Sequence, residues 1–403
     1  MSAGTGTPRA PSGNNSHLGL LDICKGIAAQ LIVLHHLAFY GPMSDYARPL
    51  APGLINWLGD PARMAVQIFL VIGGFLAAKS LCPAGEAAQH GLRMGIVRRY
   101  QKLAPPFVVA MLIAVGASAW ASAWMIHDSI SPPPGWSQLA AHALLLHGVL
   151  RYESLSAGAW YVAIDFQLFV IATLLLALSR LRWLRAQLGK PMLPLVCLAM
   201  ALSLLGFNRD AAWDAWGMYF FGSYGLGMLA WWCSRARGAE RRKLFALMLL
   251  LGIGALAIDF RARIALSLIT ALALAATGGR IAHPHARWLT PLYVAGRISY
   301  AEFLVHFPVS LVVNAAFFRY AAHDPATQAV GMLCAWTASI AAGALFHRAV
   351  EMPLARCFSR ALSQRVPSEP GASVGIRFRE RFPSPVQQAG TVAFRQVRRQ
   401  RDG

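Results

Sequence analysis

Ionisable side chains inside long apolar runs are costly in lipid and are kept where they do something. The first such run, LLDICKGIAAQLIVLHH, carries Lys25 and His36 eleven residues apart. On a helix this is about three turns and ~16 Å of rise, so both side chains lie on one face. An imidazole, with an unperturbed pKa of about 6.5, takes a proton from a hydroxyl at neutral pH. Lys25, near the other end of the stripe, can meet a phosphate. The plainer reading is that Lys25 snorkels to the interface while His36 hydrogen-bonds a neighbouring helix. His35 lies on another face and reads as structural.

Further runs hold Arg63 and Gln67, then Asp165 and Gln167, then Glu302 and His306. Glu302 and His306 are four apart and so are neighbours on a helix face. A carboxylate beside an imidazole raises its basicity and orients it, which suits a catalytic pair or a buried structural one. Asp165 follows Trp160 and Tyr161 at the start of its run and is either a packing partner for Arg63 or a catalytic group. His127, His142, His147 and His323 fall between runs and read as solvated.

These residues need elements to hold them, and the composition points to lipid as the solvent. Hydrophobic residues make up 56% of the chain and charged residues 13%, and apolar stretches near the ~20 residues a spanning helix needs recur from Leu18 to Phe346. Ten stretches qualify as candidates: 18–39, 57–78, 105–125, 158–178, 192–207, 215–232, 244–258, 264–279, 298–317 and 328–346. The fold class is therefore all-α, a polytopic transmembrane helical bundle of about ten spans. The apolar segment Gln138 to Leu150 is too short to cross and reads as interfacial or re-entrant.

Lys and Arg in short loops stay on the cytoplasmic side. One set of loops holds Lys79, Arg93, Arg98, Arg99 and Lys102, then Arg180, Arg182, Arg185 and Lys190, then Arg235, Arg237, Arg241, Arg242 and Lys243, then Arg280, Arg287 and Arg297. The alternating set holds only Arg48, Arg151, Arg209, Arg261, Arg263 and Arg319. An even number of spans with both termini cytoplasmic fits, in an inner (plasma) membrane. The net charge of +20 is explained by this one-sided placement without any nucleic-acid partner. The six cysteines show no CxxC spacing and fall in spans or at cytoplasmic positions, so neither a disulfide nor a metal site is indicated. Residues 1–17 read as a disordered cytoplasmic segment ahead of a retained first span, 18–358 as the membrane domain, and 359–403 as a basic, disordered cytoplasmic tail.

Six segments in order resemble the integral membrane O-acyltransferases of acyltransferase family 3, from about Leu20 to Phe358. LDICKGIAAQLIVLHH resembles the family's first-helix pattern of Asp, a basic residue and then His, here Asp22, Lys25 and His36. IFLVIGGFLAAKSL resembles its second-helix run, with Gly73 in place of Ser, and VRRYQKLAPPF its basic approach to the third helix. AWYVAIDFQLF supplies the Trp and acid segment, with Trp160 and Asp165. GRISYAEFLVHFPV supplies Tyr300 and His306, and VEMPLARCF supplies Glu351. Lys25 stands where the family usually has Arg and loses the planar fork that grips phosphate in two places. Glu302 is an acid outside the family pattern.

The resemblance implies an acyl-CoA donor, acetyl-CoA above all, as co-substrate reached from inside, no bound cofactor, and a glycan or glycolipid acceptor at the outer side. On this reading Lys25, Arg93, Arg98, Arg99 and Lys102 take the donor phosphates. His36 is a general base or a transient acyl carrier, with Asp165 or Glu302 orienting an imidazole. The alternative from another class is a transporter or flippase of a lipid-linked glycan, whose buried His and acids would relay protons.

Overall fold

A computed structural model describes residues 18–83, 91–280 and 287–363, and every regular element among them is helical. In chain order these are α1 (Gly19–Phe39), α2 (Pro42–Ala47), α3 (Pro52–Gly59), α4 (Val66–Leu81), α5 (Leu92–Ala121), α6 (Trp136–Ala143), α7 (Ala159–Leu178), α8 (Arg182–Leu188), α9 (Met192–Leu205), α10 (Gly217–Arg235), α11 (Gly238–Ile258), α12 (Ala262–Thr277), α13 (Thr290–Tyr320), α14 (Pro325–Phe346) and α15 (Met352–Ser363). The described residues up to Ser359 form one compact unit, and the second unit is described only as far as the end of α15. The expected disordered segments, 1–17 and most of 359–403, lie outside the described residues, and α15 runs five residues past the expected boundary at 358.

Each of the ten apolar stretches coincides with a helix, but among the described residues seven helices are long and apolar enough to cross a membrane by length and composition: Gly19–Phe39, Pro61–Leu81, Leu92–Ala121, Ala159–Leu178, Met192–Arg209, Thr290–Tyr320 and Pro325–Phe358. The other three fall short for visible reasons. α10 is diluted by Gly, Tyr and Ser and is buried along nearly its whole length, so its polar positions meet protein and not lipid. α11 opens on Glu240, Arg241, Arg242 and Lys243, and α12 has 16 residues. Large side chains such as Leu112, Leu174, Leu198, Leu250 and Ile253 are exposed on the flanks, as a lipid-facing surface requires.

Two boundaries differ from the sequence reading. The second stretch breaks at Asp60-Pro61, where proline cannot continue the ladder of α3, so the span starts at Pro61 and not at 57. The third span begins at Leu92, thirteen residues before the expected 105, because Pro105 and Pro106 are absorbed inside α5. Arg93, Arg98, Arg99 and Lys102 are consequently helical rather than in a loop.

Between helices in lipid there is little hydrophobic drive, so close packing depends on small residues that let backbones touch. α1 and α13 cross this way. A Cβ at Gly296 would lie 2.0 Å from the Asp22 carbonyl oxygen, and one at Gly26 would lie 2.7 Å from that of Leu292. This contact seats the first helix against the thirteenth and fixes what their facing side chains can reach. α13 packs also on α14 and α5, while α10 forms a second centre against α4, α12 and α9.

Candidate active site

His36 on α1 and His306 on α13 meet inside the bundle. Both are buried, their rings are near parallel with centroids 4.9 Å apart, and His36 Nδ1 lies 2.6 Å from His306 Nε2. The proton positions follow from the other side of His306. Its Nδ1 lies 2.8 Å from the Phe303 carbonyl oxygen and 3.3 Å from that of Glu302. A carbonyl only accepts, so His306 Nδ1 carries the hydrogen and, in the neutral ring, Nε2 is bare. His36 Nδ1–H must then donate to His306 Nε2, which leaves the lone pair of His36 on Nε2. The neutral dyad is thus a directed chain: the Phe303 carbonyl sets the tautomer of His306, and His306 sets that of His36. Ser310 completes the region by donating its hydroxyl to the His306 carbonyl at 2.8 Å, two residues after Pro308, whose missing N–H opens the helix ladder.

His36 also lines a cavity of about 610 Å³ at the end of the bundle opposite the basic loops. Its walls come from α1 (His35, Phe39, Tyr40), the α3–α4 corner (Gly59, Arg63), the segment after α5 (Asp128 to Pro132), the segment before α7 (Glu153, Ser154, Ser156, Ala157), Trp160 on α7, and α13 (Phe303, Phe307). Aromatic faces beside hydroxyls and a few charges are what a polar, ring-shaped ligand needs for stacking and hydrogen bonding. Trp160 belongs to this wall and stacks on Phe220. His35 also faces the cavity and holds the Leu58 carbonyl at 2.9 Å through Nδ1.

A second polar cluster lies nearer the basic end. Arg99 Nη2 pairs with Asp165 Oδ2 at 2.5 Å, and the guanidinium sits over the Phe169 ring. Lys102 is within electrostatic reach of Arg99, Asp165, Glu351 and Lys25, and Tyr300 is within reach of Asp165, Glu351 and Arg99. Tyr300 donates to the Leu103 carbonyl, and Glu351, on a π-helical turn His347–Glu351, accepts from His347 Nδ1 at 2.8 Å. Two buried polar atoms here, Arg99 Nε and the Tyr224 hydroxyl, have no protein partner. A Cβ at Gly73 would lie 3.5 Å from Asp165 Oδ1, so the residue that replaces the family's Ser borders this same cluster.

The residues singled out from the sequence therefore sort into two places. His36, His306 and Trp160 gather at the cavity, while Lys25, Arg99, Lys102, Asp165, Tyr300 and Glu351 share the deeper cluster, with Lys25 Nζ also 2.7 Å from Asp22. Arg93 and Arg98 stay exposed on α5. Three expectations, two pairings and one exposure, are corrected. The Glu302 carboxylate turns from His306 to Gln30, whose Nε2 donates to both of its oxygens at 2.9 Å while Gln30 Oε1 accepts from Trp336; the ring of His306 instead satisfies its own helix backbone. Asp165 pairs with Arg99 and not with Arg63, because it points inward toward α5 while Arg63 pairs with Asp60. His142 and His147, expected in solvent, are buried and stacked at 4.1 Å. His142 Nδ1–H donates to the Gln138 carbonyl and its Nε2 accepts from Leu155 N–H, so it staples α6 to the cavity wall. Gln30 is a site residue that the sequence does not flag, since nothing in its local pattern marks its partner 272 residues away.

The long apolar helices define a multi-pass membrane protein, with a buried imidazole pair beside a cavity. The chain belongs to acyltransferase family 3: the family profile, described as an acyltransferase domain, matches residues 19–347. A curated relative, "Regulator of hypoxia-inducible factor 1" of Caenorhabditis elegans, is 27% identical over 175 residues, covering 41% of this chain and 35% of the relative. The chain thus spans about a third of the length of that protein. No solved structure matches it.

Proposed function

We propose that this acyltransferase moves an acetyl group from acetyl-CoA to a hydroxyl of a cell-envelope or exported glycan or glycolipid. The observation that supports this most is the tautomer chain that leaves His36 Nε2 as the bare base of a cavity-lining imidazole. In the reaction His36 Nε2 takes the proton of the acceptor hydroxyl as its oxygen attacks the thioester carbonyl. The new C–O bond forms, the C–S bond breaks, and the departing CoA thiolate takes the proton back from His36. His306 accepts from the resulting imidazolium throughout, holding its charge in a site with little water.

The donor comes from the basic end, which the charge asymmetry of the loops makes the cytoplasmic one, in an inner membrane with both termini inside. Lys25, Arg99 and Lys102 offer cations for its phosphates, and the unpartnered Arg99 Nε and Tyr224 hydroxyl offer donors for its arm. Lys25 to His36 is about 16 Å along α1, the interval that an extended pantetheine arm has to cover. The acceptor occupies the far cavity, its sugar ring against Trp160 and the aromatic wall. Family membership favours this over the flippase reading, which has no transferred group.

The test is transfer of radiolabelled acetyl-CoA by purified protein to an acceptor extract, run with wild type and His36→Ala at equal protein levels. Label should appear in the glycan fraction with wild type and be lost with the variant. Equal labelling by both sinks the assignment of His36.

A further inference from the structure

A second and larger cavity, about 1350 Å³, opens at the basic end between the ends of α4, α9, α10, α11 and α12. Five cations line it against one carboxylate, Glu240; Lys79, Arg235 and Lys243 are among them. The Lys79 ammonium and the Arg235 guanidinium each sit 5.9 Å from the centroid of the Trp231 ring, which they flank. Trp231 and the adjacent Trp232 are pinned by their indole N–H groups to the carbonyls of Pro83 and Cys82, at 3.1 and 2.9 Å, so the aromatic wall is fixed in place. Leu193, Leu244 and Leu247 carry the lining inward as apolar surface.

The acyl-transfer site does not use this cavity. Leu18, at the start of α1, is part of its lining, and His36 lies eighteen residues further along that helix, ~27 Å away at 1.5 Å per residue. That rise exceeds the ~16 Å from Lys25 to His36 that the proposed donor arm covers.

The lining asks for a ligand that is anionic at one end and apolar at the other. Tryptophan with Lys and Arg at helix ends is the composition of a membrane–water interface, and basic pockets between spanning helices hold phosphate-bearing lipid headgroups. We propose that this cavity is a binding site for an anionic phospholipid, its phosphate held by Lys79, Arg235 and Lys243 beside Trp231 and its acyl chain following the leucine surface. The site is independent of the acyl-transfer chemistry and stands or falls separately from it.

Native mass spectrometry of the full chain in a neutral detergent tests it, with three probes in parallel: phosphatidylglycerol, phosphatidylcholine and ADP. Wild type should retain phosphatidylglycerol in preference to phosphatidylcholine, and ADP should not displace it. The triple variant K79Q/R235Q/K243Q should bind phosphatidylglycerol at least about tenfold more weakly, and the charge-retaining K79R/R235K/K243R should bind as wild type does. Weakening of less than fivefold in the neutral variant, equal retention of the two lipids by wild type, or one-for-one displacement by ADP, which would make this a nucleotide site, overturns the proposal. If the neutral variant does not fold, the lipid preference of wild type and of the charge-retaining variant decides.

Discussion

His306 touches no substrate in the proposed reaction, yet its removal should be nearly as damaging as removal of the base. His306→Leu keeps the bulk between α1 and α13 but takes the acceptor from His36 Nδ1–H, which lies 2.6 Å from it. A buried donor left unpaired costs about 1–3 kcal/mol, or roughly 5- to 150-fold at 1.4 kcal/mol per decade. That loss falls on the tautomer with the lone pair at the cavity. The imidazolium formed in the transition state also loses its partner, so the total fall in kcat should lie between about 10² and 10⁴, the span usual for general acid–base groups. His306→Gln offers a side-chain carbonyl to the same N–H and should recover part of the loss. Because His306 acts through His36, the double variant H36A/H306L should be no worse than H36A alone. Initial rates of acetyl transfer in proteoliposomes, with acceptor KM measured alongside, give the readout: kcat falls and KM holds. A kcat for H306L within threefold of wild type refutes the relay, as does a double variant whose loss is the product of the two single losses.

Gly296→Val places a side chain where even a Cβ would lie 2.0 Å from the Asp22 carbonyl, so α1 and α13 must part; activity should be lost along with several degrees of thermal midpoint by scanning fluorimetry, whereas Gly116→Ala, with nothing near its Cβ, should change neither. Asp165→Ala strands the part-buried Arg99 guanidinium and should destabilise the protein by less than the ~3–5 kcal/mol of a fully buried pair, with R99M/D165A less harmful than D165A alone in urea unfolding. His147, in the segment between α6 and α7, has both ring nitrogens buried without a partner, and burial with His142 alongside pushes its pKa down to about 3. The folded chain therefore refuses a proton that the unfolded chain accepts near 6.5, so stability full above pH 6.5 should drain as pH falls toward 3; at pH 5 the loss is about 2 kcal/mol at 1.36 kcal/mol per unit. His147→Phe should flatten that pH dependence in hydrogen exchange of residues 136–157, and an unchanged profile would remove His147 as its source.

The helices were legible because lipid demands long apolar stretches, and His36 was legible because an imidazole in such a stretch is conspicuous. The partners were not. Spacing on one helix suggested Glu302 for His306, but the helix backbone offered His306 nearer acceptors, and α1 supplied Gln30 to the acid. Asp165 was read toward Arg63 because both sit near one end of their spans; only the extension of α5 through Pro105 and Pro106 brings Arg99 to it. His142 and His147 read as solvated because their burial comes from the fold of a connecting segment, which carries no periodicity. Among the described residues fewer than ten helices are long and apolar enough to cross, since α10 carries polar positions that its neighbours shelter.

The contact between His36 and His306 closes a separation of 270 positions, which sets when during synthesis the enzyme can first work. A ribosome must deliver nearly the whole bundle before His36 meets His306, so on the proposed mechanism premature-stop products that lack α13 should transfer no acyl group. The same closure makes the long connection before α13 a natural place to cut the gene in two, with catalysis restored only when the halves find each other in the bilayer.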